Sequence, residues 1–252
     1  MSLPPYDSLN LGTHVGDDPR AVQANRQHLQ GALQGARAVF LNQVHGDGVV
    51  HVQGDTADGT AADACVATAP GVACTIMVAD CLPVLLAHDS GAVVAAAHAG
   101  WRGLAGTSRQ GVLESVFRSF EALALIHQAQ AAIKKEAKEA APSIASGTLA
   151  WLGPCIGPQA FEVGAEVRAA FCTADPAAAA YFAATGAAGK YGCDLAGLAR
   201  LRLRALGITR VYGNDSSAPW CTVANASRFF SHRRDSLALG GSGRFAACIW
   251  RG

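Results

Sequence analysis

The chain is poor in charge. Only 15% of its residues are Asp, Glu, Lys or Arg, and the two signs nearly cancel at a net +1. No overall field therefore draws it to nucleic acid or to an acidic membrane surface. The opening, MSLPPYDSLN, has neither a basic cluster nor an apolar stretch, so no secretory signal is read there. No apolar run approaches the ~20 residues that a membrane-spanning helix needs. The eight cysteines, at 65, 74, 81, 155, 172, 193, 221 and 248, include no CxxC pair and no tight disulfide spacing. They are expected to be reduced thiols of a cytoplasmic protein, most of them serving as small buried apolar groups. Neither an internal repeat nor a low-complexity linker interrupts the chain. What is abundant is hydrophobic surface, half of the 252 residues. That marks a globular chain with ample length for a core, in one large domain or two small ones.

Residues 37–53 read as two short strands broken at His45-Gly46-Asp47-Gly48, where Gly and Asp supply turn chemistry. Residues 71–88 read as two more strands around Asp80-Cys81, with Pro83 marking an edge or a strand start because it lacks an N–H. Residues 92–98, AVVAAAH, form another buried strand whose small side chains imply close packing over them. After the turn 99–103, Leu113, Val116, Phe117, Phe120 and Leu123 recur at helical steps. The Ala-, Lys- and Glu-rich tract 128–141 extends this helix into solvent until Pro142 ends it. Residues 148–152 are a strand leading into the rigid loop 153–158, helices are expected near 162–172, 175–184 and 194–206, and residues 210–212 and the C-terminal RFAACIWRG are strands. Strands in hairpins, then helices, then strands again indicate α+β rather than a regular βαβ alternation.

Three strand ends carry metal-binding side chains: His45, Cys81 and His98. Two imidazoles and a thiolate suit Zn²⁺, and three protein ligands with an open position is the catalytic arrangement. Their separations, 36 and 17 residues, match no zinc finger, so only the fold can bring them together. The alternative is a hydrogen-bonded buried His and a packed Cys. Asp80 is placed either to orient a ligand or to serve as a turn or N-cap acid. The strand-to-helix segment His98-Ala99-Gly100-Trp101-Arg102-Gly103 could hold an anion at its free N–H groups, with Arg102 binding substrate or forming an ion pair. Ser231-His232-Arg233-Arg234-Asp235, read as lying outside a solvent-facing helix, could clamp a phosphate between two arginines. The alternative is a basic surface patch with Asp235 pairing one of them.

Gln43-Val44-His45-Gly46, Ala79-Asp80-Cys81-Leu82-Pro83-Val84, His98-Ala99-Gly100-Trp101-Arg102-Gly103, Leu152-Gly153-Pro154-Cys155-Ile156-Gly157 and Ser231-His232-Arg233-Arg234-Asp235 occur in this order. Together they resemble the YfiH-like family, also called the laccase-domain or polyphenol-oxidoreductase family. Ser8-Leu9-Asn10-Leu11-Gly12, Val15-Gly16-Asp17-Asp18-Pro19, Asn25-Arg26 and Gly243-Arg244 fit as well, so the likeness spans nearly the whole chain. It implies a single α+β domain over 1–252, with a β-sandwich-like mixed-sheet core flanked by helices. It implies a metal site at His45, Cys81 and His98, with zinc as the ion or copper as the alternative. Cys81, His98 and Asp80 are the implied catalytic residues. Arg233, Arg102, Gln43, Asn42 and His232 are the implied substrate and phosphate contacts. The family is described as purine nucleoside phosphorylases that also deaminate adenosine and cleave methylthioadenosine. Its members usually begin with an additional strand and an Arg-x-Gly-Gly turn, which this chain is expected to lack. Partners implied are a purine nucleoside and phosphate; no nucleic acid and no membrane are expected, and the oligomeric state is left open, with a monomer expected.

Three other functions use the same residues. A copper phenol oxidase needs several coppers and clustered HxH pairs, which are missing. A thiol hydrolase or amidase editing peptidoglycan precursors would take Cys81 as nucleophile and His98 as base. A non-enzymatic module with a structural metal would call for a fourth protein ligand.

Overall fold

The computed structural model describes residues 1–108, 110–135 and 143–252. In chain order the elements are α1 (Pro19–Ala32), β1 (Arg37–Phe40), β2 (Val49–His51), β3 (Ala64–Ala67), β4 (Val72–Val78), β5 (Leu82–His88), β6 (Val94–Ala99), α2 (Trp101–Ala105), α3 (Val112–Lys135), β7 (Thr148–Leu152), β8 (Glu162–Gly164), α4 (Ala165–Cys172), β9 (Phe182–Ala184), β10 (Lys190–Cys193), α5 (Leu195–Ala205), β11 (Arg210–Gly213), α6 (His232–Leu239) and β12 (Phe245–Trp250). Short 3₁₀ turns occupy Pro176–Tyr181 and Ala218–Trp220. No described helix is long and apolar enough to cross a membrane.

The period-2 alternation of the strands sorts the side chains into layers. A six-stranded mixed sheet runs β11-β7-β5-β6-β3-β2, and a three-stranded sheet runs β1-β4-β12. Val72, Cys74, Ile76 and Val78 of β4 meet Cys65, Ala67, Val94 and Ala96 of the larger sheet in one buried cluster. The intervening residues of the larger sheet, among them Leu82, Val84, Ala95 and Ala97, face away from β4 onto Val116 and Phe120 of α3 and Leu198 of α5. Ala73 and Met77 face the other way, toward Leu29 and Leu33 at the end of α1. The result is helix, sheet, sheet, helix: an α+β sandwich of mixed sheets with helices on its outer faces. β6 lies between β4 and α3, and this explains why VAAAHA is almost entirely alanine. A larger side chain there would overpack two faces at once.

The strands in 37–53 and 71–88, and those at 148–152, 210–212 and the C-terminus, form where the sequence indicates, but the first two runs are not hairpins: β1 pairs with β4 and β2 with β3, both parallel, and β4 and β5 lie in different sheets. Pro83 sits at the start of β5 in the middle of the larger sheet, with its carbonyl accepting from Gly153 N. It is a strand-start proline and not an edge one. Several expectations are corrected. The helix expected at 162–172 opens as β8, the one at 175–184 is a 3₁₀ turn followed by β9, and these two strands flank β10 in a small antiparallel sheet. The extension expected over 128–141 is helical through Lys135; its remainder, with Pro142, lies outside the described residues. The motif beginning at Ser231 is not outside a helix. Ser231 caps α6, its Oγ accepting from Arg234 N at 3.1 Å.

Candidate metal centre and its cavity

Cys81 and His98 fall on register positions that face the space between the two sheets. Cys81 has the parity of Leu85 and Ala87, and His98 that of Val94 and Ala96, all of them turned inward. They lie at one end of the sandwich, Cys81 just ahead of β5 and His98 within β6, where it pairs with Pro83. His45 reaches the same spot from the loop after β1, in the left-handed region at φ 62°. The ligand atoms of His45, Cys81 and His98 all lie within 4.8 Å of one another. Cys81 Sγ stands 3.8 Å from His45 Nε2, and the imidazoles meet edge to face with centroids 4.7 Å apart. Sulfur at ~2.3 Å and nitrogen at ~2.0–2.1 Å from a tetrahedral zinc would stand about 3.6 Å apart, so the donors are nearly in place. Gly100 leaves the room for them: a Cβ there would come within 2.9 Å of His45 Cδ2 and 3.1 Å of Cys81 Sγ.

One carboxylate organises this cluster, and it is Asp63. It is fully buried and accepts from the backbone N–H groups of Val44, His45 and Gly46 at 2.7–3.1 Å. Its Oδ1 also binds His98 Nδ1 at 2.8 Å, leaving Nε2 as the metal-facing nitrogen. The His45 loop and the His98 ring are thus held by one residue. Burial disfavours charge on Asp63, yet His98 and the N–H donors of Gly46 and His45 keep its carboxyl below the ordinary range. Burial likewise opposes charge on Cys81 and His98, and their mutual attraction outweighs it. The Cys81 thiol is lowered to about 6 by His98 and His45. His98 is raised to about 9 by Cys81 and Asp63. A thiolate and two imidazoles form the donor set of a borderline-soft divalent ion, and the residues present fit one.

Asp80, which was expected to orient a ligand or to cap, performs the second task. It sits at φ 89° between β4 and β5. Its Oδ2 accepts from Arg233 N, in the first turn of α6, and its Oδ1 from Thr222 Oγ1, both at 2.6 Å. Positive φ at His45 and Asp80 costs of order 1–3 kcal/mol each and persists because these bonds hold both turns.

The cluster opens into a cavity of about 420 Å³. Asn42, Gln43, Arg102, His232 and Arg233 all line it, so the expected substrate residues converge. Gln43, however, has both ends of its carboxamide bound to the backbone of Met77, at 2.8 and 2.9 Å. Arg102 lies over the Trp101 ring at 4.4 Å. The two-arginine clamp does not form. Arg234 is held by Asp235 and by the carbonyls of Thr222 and Phe229. Of these two arginines only Arg233 lines the cavity, its guanidinium near the carbonyls of Ala160 and Glu162 and 5.7 Å from the Phe161 ring. Sequence reasoning missed Asp63, His14, Phe161 and Arg244. The first carried a usable signal, a lone acid within the otherwise small and apolar segment Ala61-Ala62-Asp63-Ala64-Cys65. Arg244 stood in the Gly243-Arg244 motif without a role attached to it, and His14 and Phe161 carried no signal, because their placement depends on loops remote in sequence.

The whole chain, residues 1–252, matches a family model described as multi-copper polyphenol oxidoreductase laccase. It is 45% identical over 250 residues to a Pseudomonas aeruginosa protein named purine nucleoside phosphorylase, covering 99% of this chain and 88% of that one. Against the Escherichia coli K12 purine nucleoside phosphorylase YfiH it is 43% identical over 251 residues, with 99% and 89% covered. Among solved structures, a Neisseria meningitidis protein superposes with a TM-score of 0.81 at 43% identity, over 100% of this chain and 89% of the other. YlmD from Geobacillus stearothermophilus does so at 0.72 and 28% identity, over 99% and 87%.

Proposed function

This chain belongs to the YfiH-like, laccase-type family, and from that membership we propose that it is a zinc-dependent purine nucleoside phosphorylase that also deaminates adenosine. The observation that carries the reading is the meeting of His45, Cys81 and His98 at the wall of a cavity otherwise rich in cationic side chains. The relatives named purine nucleoside phosphorylase support the substrate class. The volume, about 420 Å³, falls within the ~300–1,000 Å³ of small-molecule sites.

Phosphorolysis breaks the bond between ribose C1′ and the purine nitrogen, whose electron pair leaves with the base. A phosphate oxygen bonds to C1′ and the purine takes up a proton. Deamination exchanges the purine amine for water's oxygen and releases ammonia. His45, Cys81 and His98 would hold the ion, which when bound supplies Lewis acidity toward an electron-rich substrate atom. Trp101 and Phe161 offer apolar faces to the base, and Asn42 and His232 offer polar edges. Arg102 and Arg233 add positive charge where the substrate's negative charge gathers. Adenosine, inosine and methylthioadenosine are the substrates this reading takes.

Among the described residues there is one His/Cys/acid group able to hold an ion. That favours a nucleoside enzyme over a multicopper phenol oxidase. One observation favours a second reading: a thiol lowered to about 6 beside an imidazole raised to about 9 is also an activated nucleophile and its base. The two separate in one assay. Free base is expected from inosine only with phosphate present, in metal-loaded protein, with loss on chelation and in H45A. A metal-replete protein that leaves inosine and adenosine intact contradicts the nucleoside reading. Chelator-insensitive, iodoacetamide-sensitive hydrolysis of a peptide-like amide selects the thiol reading.

A further inference from the structure

Among the arginines that line the cavity, Arg102 and Arg233 are exposed, whereas Arg244 is held inward and has no ion-pair partner among the described residues. It stands just ahead of β12, with its N–H donating to Asn10 Oδ1 at 2.8 Å and its carbonyl accepting from Leu11 N at 2.9 Å. Those bonds fix the backbone against the N-terminal loop. The side chain then passes across Gly12, where a Cβ would come within 2.9 Å of Arg244 Cγ, so glycine clears its path. Nη1 donates to the carbonyls of Ser242 and Gly243, both at 2.9 Å. Among the described residues, Nε and Nη2 find no acceptor and no carboxylate pairs with the guanidinium.

Other enclosed arginines differ. Arg202 holds Glu114 at 2.8 Å and Arg234 holds Asp235 at 2.6 Å. Arg244 is largely buried, and burial disfavours its charge more than the nearby Cys81 and Asp80 favour it. His14 lines the same cavity with no side-chain hydrogen bond among the described residues, and partial burial together with Arg244 and Arg26 disfavours its cationic form. A guanidinium with two free donors and an imidazole with a free N–H, converging on one cavity, await an anion with several acceptor oxygens.

We propose that Arg244 and His14 form the phosphate subsite of this cavity, holding inorganic phosphate as the co-substrate. This rests on the phosphorylase reading above and shifts the anion from the Ser231–Asp235 motif, which the sequence singles out, to a pair drawn from the two ends of the chain, His14 and Arg244. The guanidinium supplies charge and two donors, and His14 supplies a third. Asn10 and Gly12 act as positioning residues, since they set the path of the arginine without touching the ligand.

The test is equilibrium binding of inorganic phosphate to the metal-loaded protein, read by calorimetry without nucleoside. It compares the native chain with R244Q, H14Q and R244K. R210Q, which removes an equal charge from the exposed Arg210–Asp89 pair, serves as the control. Phosphate affinity is expected to fall about tenfold to a hundredfold in R244Q and about threefold to tenfold in H14Q. It should be partly restored in R244K and unchanged in R210Q. Metal content should stay at the native level throughout, and the KM for phosphate should rise while that for inosine holds. H14Q lies on an exposed loop, so it keeps the test alive should R244Q fold poorly.

Native affinity in both R244Q and H14Q overturns the subsite, as does a native protein that binds no phosphate. Tighter binding of adenosine 5′-monophosphate than of phosphate, lost in R244Q, overturns the assignment to the free co-substrate. The two proposals fail separately. Phosphate-dependent base release with an unchanged phosphate KM in R244Q removes the subsite and leaves the function. Arg244-dependent phosphate binding without any base release removes the function and leaves the subsite.

Discussion

A single buried carboxylate, Asp63, couples two of the three candidate ligands. It fixes the strained His45 turn through three N–H groups and fixes His98 through Nδ1. In D63N one carboxamide end must face N–H groups with its own donors, so the turn loosens and the His98 ring loses its orientation. Metal affinity is expected to fall about tenfold to a hundredfold, measured by competition with a chromophoric chelator, while far-ultraviolet circular dichroism stays native. Undiminished affinity would show that the ligands hold themselves in place. His45, Cys81 and His98 were readable in the sequence because chemistry restricts which side chains can bind a soft cation. Asp63 was not read, because its work is to bond backbone N–H groups at positions 44–46, and nothing in a one-dimensional pattern announces that partner.

At the scale of elements, the site is supported from outside by helix ends. The α6 N-terminus rests on Asp80, and the first turn of α3 is tied to the last turns of α5. Glu114 and Arg202 form a two-pronged pair, Nε to Oε1 at 2.8 Å and Nη2 to Oε2 at 3.0 Å, and Glu114 also accepts from Gly111 N. Each charge has the sign its helix end favours. Removing the acid in E114A leaves a buried guanidinium without its partner, a loss of about 3–5 kcal/mol. A melting temperature lower by the order of 10 °C is expected by calorimetry, with metal content unchanged. A shift under about 2 °C would mean that solvent reaches Arg202 freely. The strands β1, β4, β5, β6, β7 and β12 were legible because they are apolar runs cut by Gly, Asp or Pro. α1 escaped notice since only Val22 and Asn25 are buried along it, too few to mark a stripe. β8 and β9, three residues each, sit beside alanine-rich stretches whose composition favours helix. α6 was missed although Ser231 as N-cap and Gly240 in the left-handed conformation mark both of its ends.

For the whole molecule, the layers explain why the site lies where it does. Alternation sends Cys81 and His98 inward between the sheets, at an end where the loop after β1, the start of α2 and the N-terminal loop close a cavity over them. α+β class followed from the order of strands and helices, but the pairing of β12 with β4 and of β11 with β7 links segments far apart in sequence. Such contacts, like those that bring His14 and Arg244 to the ligands, come from the packed fold and leave no local trace.

The account turns on a metal ion held by His45, Cys81 and His98. X-ray absorption at the zinc edge, with elemental analysis of the same purified protein, tests it most directly. One ion per chain is expected, bonded to one sulfur at ~2.3 Å and two imidazole nitrogens at ~2.0–2.1 Å, with the sulfur signal gone in C81S. A protein without stoichiometric metal under replete conditions, or a bound ion whose spectrum lacks sulfur, would contradict it.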